Sequence, residues 1–93
     1  MGFVLDSQDT IYRRIEYVVG KEVLGEITWK EIDGIMHMNH TYVSPVLRGQ
    51  GIAEQLLDEA ATYARNNQLK MNAICSYVVR AFQKNNKYED VQI

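Results

Sequence analysis

At Ser44-Pro45 the hydrophobic period of this chain changes, and that switch restricts its fold more than any other feature. Proline has no N–H for a strand ladder and pushes the residue before it away from the helical region, so an extended run ends there. Upstream, residues 11–19 (IYRRIEYVV) put Ile11, Ile15, Tyr17 and Val19 on one face of an extended chain, with Arg13 as the exception. Gly20-Lys21-Glu22 reads as a turn. After it, VLGEITWK places Val23, Gly25, Ile27 and Trp29 on one face and Leu24, Glu26, Thr28 and Lys30 on the other. Asp33-Gly34 is a hairpin signal, so residues 35–43 should return as a third antiparallel strand. FVL at residues 3–5 is too short to assign.

Downstream, Ile52, Leu56, Leu57, Ala60, Tyr63 and Ala64 recur at helical spacing, opposite Glu54, Asp58, Glu59 and Arg65. Asn66-Asn67 is a stop. LKMNAIC, residues 69–75, has the length of one more strand, and Ser76 is placed to cap a second helix through about Lys84. The expected architecture is α+β: an antiparallel β-meander followed by helix, strand and helix, the helices covering a mostly antiparallel sheet. With 93 residues, the chain is expected to form one domain over residues 1–93.

Composition removes several functions. The formal charge of −2 comes from dispersed acids and bases, with no basic block to track a phosphate backbone, so no nucleic-acid partner is expected. No long apolar run argues for a membrane span, and MGFVLDSQ lacks a basic region followed by an apolar one. Asp6 also breaks the myristoylation pattern that Met1-Gly2 begins. The lone Cys75 excludes an internal disulfide and fits a reducing compartment, so the expected location is the cytoplasm. Without a secretory signal, Asn39-His40-Thr41 is a chance match to a glycosylation sequon. No metal is expected either. There is one cysteine and no carboxylate pair at ligand spacing, and His37 and His40 are an odd number of residues apart, which on a regular strand turns the rings to opposite faces. Met36, Met38, Met71, Trp29 and Phe82 read as core filling.

Gly49 and Gly51 stand in the turn that opens the first helix, where glycine is a poor helix builder. The first N–H groups of a helix have no intrahelical acceptor, and its dipole adds partial positive charge. Without a Cβ at Gly49 and Gly51 a phosphate can approach the main chain, and Arg48 adds a full charge. From spacing alone, a turn with a solvated arginine stays an equal reading. The Gly-Lys-Ser/Thr ending of a P-loop is absent, and Glu54 stands where GxGxxG needs its third glycine.

Arg48-Gly49-Gln50-Gly51-Ile52-Ala53 fits the Arg/Gln-x-x-Gly-x-Gly/Ala motif of GNAT-type N-acetyltransferases, in the strand–turn–helix context which that family uses. NHTYVSPVLRGQGIAEQLLDEAATYARNNQLK with the later CSYV resembles the very short members of that superfamily, a likeness spanning roughly residues 11–93. The resemblance implies a small GNAT-like fold and a protein that binds acetyl-CoA as acetyl donor. It implies that the main chain of Arg48, Gly49, Gln50, Gly51, Ile52 and Ala53 holds the CoA diphosphate. It also implies that Thr41, Tyr42 and Val43 pair with the pantetheine arm, the acetyl group lying between two splayed strands, residues 35–43 and 70–75. The implied function is acetyl transfer to an unidentified amine; the alternative is a CoA-binding or protein-interaction module without catalysis.

Acetyl transfer needs an unprotonated amine, a proton acceptor, and something to stabilise developing charge. Cys75 ends a strand and precedes a helix, where the dipole makes a thiol more reactive; it can take the acetyl group, or it can be a small buried apolar residue. The resemblance puts this cysteine near the CoA sulfur. His40, near the strand end, has the ordinary chemistry of a base and matches an HTxV pattern of the short group, although a strand histidine also serves structure. Glu26 can act through water or simply face solvent. Larger GNAT enzymes carry a tyrosine in a segment like AxxLYxKxGF. Here RAFQKNNKY, residues 80–88, has Phe82 at that place, leaving Tyr77 or Cys75 as the substitute acid.

Overall fold

The alternating and helical segments form the elements their periods demand. The computed structural model describes residues 2–93. It contains β1 (Gly2–Asp6), β2 (Tyr12–Val19), β3 (Glu22–Ile32), β4 (Ile35–Val43), α1 (Ile52–Asn66), β5 (Lys70–Ala73) and α2 (Ser76–Lys84), with 3-10 turns at Pro45–Leu47 and Asn86–Tyr88. The sheet order is β1-β2-β3-β4-β5. The first four strands are antiparallel and joined by short connections, whereas β5 returns parallel to β4 because α1 carries the chain back across the sheet. Asp33 and Gly34 both adopt positive φ, as the expected tight hairpin requires.

One cluster contains every buried apolar side chain among the described residues. The sheet contributes Ile15, Tyr17, Ile27, Trp29, Met36 and Met38, α1 contributes Leu56, Leu57, Ala60, Ala61 and Ala64, and α2 contributes Val78 and Ala81. Both helices therefore lie on one face. The opposite face carries Arg14, His40 and Tyr42 and stays open to solvent. After α2, the chain runs beside β5: Val91 O accepts from Met71 N at 2.6 Å and Met71 O from Ile93 N at 3.2 Å, while Arg65 Nε reaches Asp90 at 2.7 Å. This terminal strap was not legible in the sequence, and neither was β1, which pairs along its length with β2.

Four expectations are corrected. Leu24 is an extra residue in β3, because Tyr17 faces Gly25 while Val18 faces Val23, and the slip leaves Val23 exposed rather than inward. Asn39 is an extra residue in β4, because Thr28 faces His40 while Trp29 faces Met38. His37 pairs with Lys30 and His40 with Thr28, two positions apart on β3, so both histidines lie on the same face and not on opposite ones. The last strand is shorter than residues 69–75, because Met38 O takes the N–H of both Ile74 and Cys75 and turns the chain out of the sheet. Finally, the capping position of α2 is Cys75, with extended φ −60° and ψ 133°; Ser76 is already helical.

α1 crosses close over β3 at Gly25. A Cβ built there meets Tyr42 O at 3.2 Å and Leu56 Cδ1 at 3.3 Å, so the missing side chain sets the approach of helix to sheet. Gly25→Ala should lower stability by about 1–3 kcal/mol through overpacking. Chemical denaturation measures it, and an unchanged midpoint would show that the helix yields freely.

Candidate functional site

Three local features meet at the end of β4. The first is the turn between β4 and α1. Gly49 (φ 83°) and Gly51 (φ 70°) both occupy the left-handed region, and a Cβ at either would meet nothing within 4 Å among the described residues beyond its chain neighbours. Their requirement is thus conformational, and the space above them is open. Arg48 N donates to Pro45 O at 3.1 Å and Gln50 N to Leu47 O at 3.2 Å, so those two amides are consumed by the turn. The amides of Gly49, Gly51, Ile52 and Ala53 have no acceptor in the chain among the described residues. A cavity of about 240 Å³ lies over them, lined by Val43, Ser44, Pro45, Leu47, Arg48, Gly49, Gly51, Ile52 and Ala53. Four free donors, a helix N-terminus and the Arg48 side chain give that cavity the chemistry that suits an anion.

The second feature is an opening in the sheet. β5 accompanies β4 only from Ile35↔Lys70 to Met38↔Ala73. Beyond the Asn39 bulge, His40 through Val43 keep their partners on β3, while the other edge of β4 has no strand partner among the described residues. Ser44 N donates to Leu24 O across β3 at 2.7 Å. Strand alternation therefore turns the N–H and C=O of Val43 and Thr41 the other way, into the opening. Tyr42 is exposed on the helix-free face, and the side chains of Thr41 and Val43 are half-buried towards the helices.

The third feature is the thiol. Cys75 Sγ donates to Thr41 Oγ1 at 3.7 Å, across the opening. Partial burial pushes the thiol pKa up, but the Thr41 hydroxyl together with the amides of Val78, Tyr77 and Thr41 outweighs it and leaves the pKa below the ordinary value. Those contacts fall short of a full capping bond at the α2 start. They are still the donors that a thiolate would use.

The remaining candidates are not gathered around that sulfur. His40 lies on the opposite sheet face with Nε2 3.6 Å from Glu26 Oε2, the two side chains 54% and 28% exposed. Tyr77 is half-buried on the helix side. Burial, then the carboxylates of Glu54 and Asp58, hold its phenol above its ordinary pKa, and its hydroxyl bonds neither Cys75 nor His40 among the described residues. Phe82 stacks at 5.4 Å on Tyr88 and offers no proton. The Thr41 hydroxyl was missed as a site group, since a strand threonine carries no local signal of what faces it. Among the described residues, no group of three or more histidine, cysteine or carboxylate side chains could hold a metal.

The profile of a family described as GCN5-related N-acetyl-transferase matches residues 14–91. No curated protein matches the chain. Among solved structures, a GCN5-like protein from Staphylococcus aureus, assigned as an N-acetyltransferase, is 32% identical with a TM-score of 0.71, covering 97% of this chain and 87% of that one. A ribosomal-protein-alanine N-acetyltransferase from Brucella melitensis is 23% identical with a TM-score of 0.64, covering 94% of this chain and 65% of that one. AAC(6')-Iy, in complex with the bisubstrate analogue CoA-S-monomethyl-acetylneamine, is 13% identical with a TM-score of 0.63, covering 92% of this chain and 67% of that one. The last two share the fold and are longer.

Proposed function

The chain belongs to the GCN5-related N-acetyl-transferase family of acetyl-CoA-dependent enzymes, and from that premise we propose that it transfers the acetyl group of acetyl-CoA to a primary amine, with residues 1–93 acting as a single domain. The amides of Gly49, Gly51, Ile52 and Ala53, with Arg48, hold the diphosphate. The free edge of Thr41–Val43 pairs with the pantetheine arm, and Cys75 meets the thioester in the opening. One observation carries this reading: the anion seat and the thiol lie at the two ends of a single unpaired strand edge, Val43 lining the seat and Thr41 touching Cys75.

Acetyl-CoA supplies an activated acyl group. Cys75 takes it, its Sγ–C bond forming as the donor's C–S bond breaks, and its thiol proton leaves with the CoA sulfur. The amide and hydroxyl of Thr41 hold the thiolate before this step and orient it afterwards. Tyr77 lends its amide to the sulfur and keeps its own proton. A working thiol fits a reducing compartment, the cytoplasm; no helix among the described residues is long and apolar enough to cross a membrane.

Calorimetric titration with acetyl-CoA and with free CoA tests the reading. Both should bind, since both carry the diphosphate, and release of CoA should rise when amines are added. No heat with either at millimolar concentration would remove the proposal. Binding without turnover of any amine would leave a CoA-binding module instead.

A further inference from the structure

We propose that Lys87, carried by the strap after α2, is a positioning residue for coenzyme A: it holds the Glu54 carboxylate away from the Gly51 amide and cancels its charge, so that the diphosphate meets free donors. This deepens the acetyl-transfer reading above and rests on it. Glu54 is the third residue of α1, whose cap is Gly51. A glutamate at that position has an ordinary occupation. Its carboxylate folds back and accepts the N–H of the capping residue, drawn by the positive end of the helix dipole. Here that N–H belongs to Gly51 and is one of the four unclaimed donors. The chain therefore carries its own competitor for the diphosphate, an anion tethered within one helical turn of the cavity.

In the structure Glu54 is turned to another partner. Its Oε2 accepts from Lys87 Nζ at 2.5 Å, and the same ammonium reaches Asp58 Oδ1 at 3.1 Å, so one cation serves both carboxylates. The strap delivers it there by several contacts. Tyr88 is 1% exposed, stacks on Phe82 at 5.4 Å and donates its hydroxyl to Asp58 Oδ1 at 2.6 Å. The carbonyl of Lys87 accepts from Arg65 Nη2 at 2.6 Å, while Arg65 Nε holds Asp90 at 2.7 Å. Hydrogen bonds to Glu54, then to Asp58, keep the ammonium above its ordinary pKa, and it stays charged.

The Lys87 and Glu54 side chains are 43% and 53% exposed, and an ion pair so open to water adds little to stability. What it changes is the place of the carboxylate. Without Lys87, Glu54 and Asp58 are like charges four residues apart on one helix and repel each other. The dipole then draws Glu54 to the helix start, onto the Gly51 amide. The strap thus acts on the cofactor through Glu54, without touching the cofactor.

The experiment uses the full chain and calorimetric titration with coenzyme A and with 3′-dephospho-coenzyme A. Lys87→Ala should weaken both by about tenfold, because both carry the diphosphate. Lys87→Arg keeps the charge and should recover most of the loss. Glu54→Ala removes the competitor and should bind at least as tightly as wild type. In the Lys87→Ala background, Glu54→Ala should return the affinity to within about twofold of wild type. A lysine that served only to dock the strap, or that touched the cofactor itself, would leave the double variant as weak as Lys87→Ala, and that result overturns the inference. So does wild-type affinity in Lys87→Ala. A loss confined to coenzyme A overturns it too, because it would put Lys87 on the 3′-phosphate. Wild type that binds neither ligand removes the earlier reading, and the inference with it. Both substituted side chains are half-exposed, so each variant should keep its fold, which circular dichroism verifies.

Discussion

Gly51→Glu should weaken coenzyme A binding by at least about 100-fold, or about 2.7 kcal/mol. Gly51 is the capping residue of α1 at φ 70°, and its amide is one of the four free donors of the seat. Glutamate there places a carboxylate in the proposed diphosphate position, on the positive end of a helix dipole that would then hold the side chain instead. The backbone also matters, since a left-handed residue with a Cβ costs roughly 1–2 kcal/mol. Gly51→Asn separates the two effects, because asparagine tolerates that conformation and carries no charge; it should retain binding within about tenfold. Apart from the two chain neighbours, no atom of the described residues lies within 4 Å of a Cβ at this position, so neither variant should clash with the folded chain. Calorimetry gives both affinities, and wild-type affinity in Gly51→Glu would show that the anion seat is elsewhere.

The second large effect concerns the thiol. Incubation with acetyl-CoA and an acid quench should add one acetyl mass to the intact protein, mapping to Cys75, and addition of an amine should discharge it. Cys75→Ala should remove the adduct and slow transfer by on the order of 1000-fold or more. Unimpaired transfer in Cys75→Ala would mean that the amine attacks the donor directly. Thr41→Val keeps a β-branched strand residue but deletes the hydroxyl 3.7 Å from the sulfur. Because that hydroxyl helps to depress the thiol pKa, its loss raises the pKa and moves alkylation of Cys75 by iodoacetamide to higher pH. An unshifted alkylation profile would assign the depression to the amides alone.

Much of the frame was legible because it depends on neighbours in the chain. The alternation in β2 and β3, the Asp33-Gly34 hairpin, the stop at Pro45 and the stripe of α1 all recur in the structure within a residue or two. The family expected from the resemblance of the stretch Arg48–Ala53 and its context agrees with the profile matched over residues 14–91, and the turn itself was legible because positive φ at Gly49 and Gly51 is a local demand. Val23 and the two histidines were misplaced for one reason. A bulge adds a residue to one strand only, so every period-two argument that crosses it inverts, and neither Leu24 nor Asn39 announces that role. The Ser76 cap failed differently. Serine is the better capping side chain, but Met38 O pulls the N–H of Cys75 to the sheet edge, and the helix begins at Ser76, one residue earlier than a Ser76 cap would start it.

By itself, the sequence determined the meander of β2 to β4 and the order of α1, β5 and α2 after it, because dihedral preference and hydrophobic period act within a few residues. Only the tertiary structure decided that Thr41 meets Cys75 while His40 meets Glu26. Those pairings join residues 34 and 14 positions apart. They depend on where two bulges slip the strand register and on where β5 stops following β4, and strand pairing is a property of partners that local propensity cannot encode.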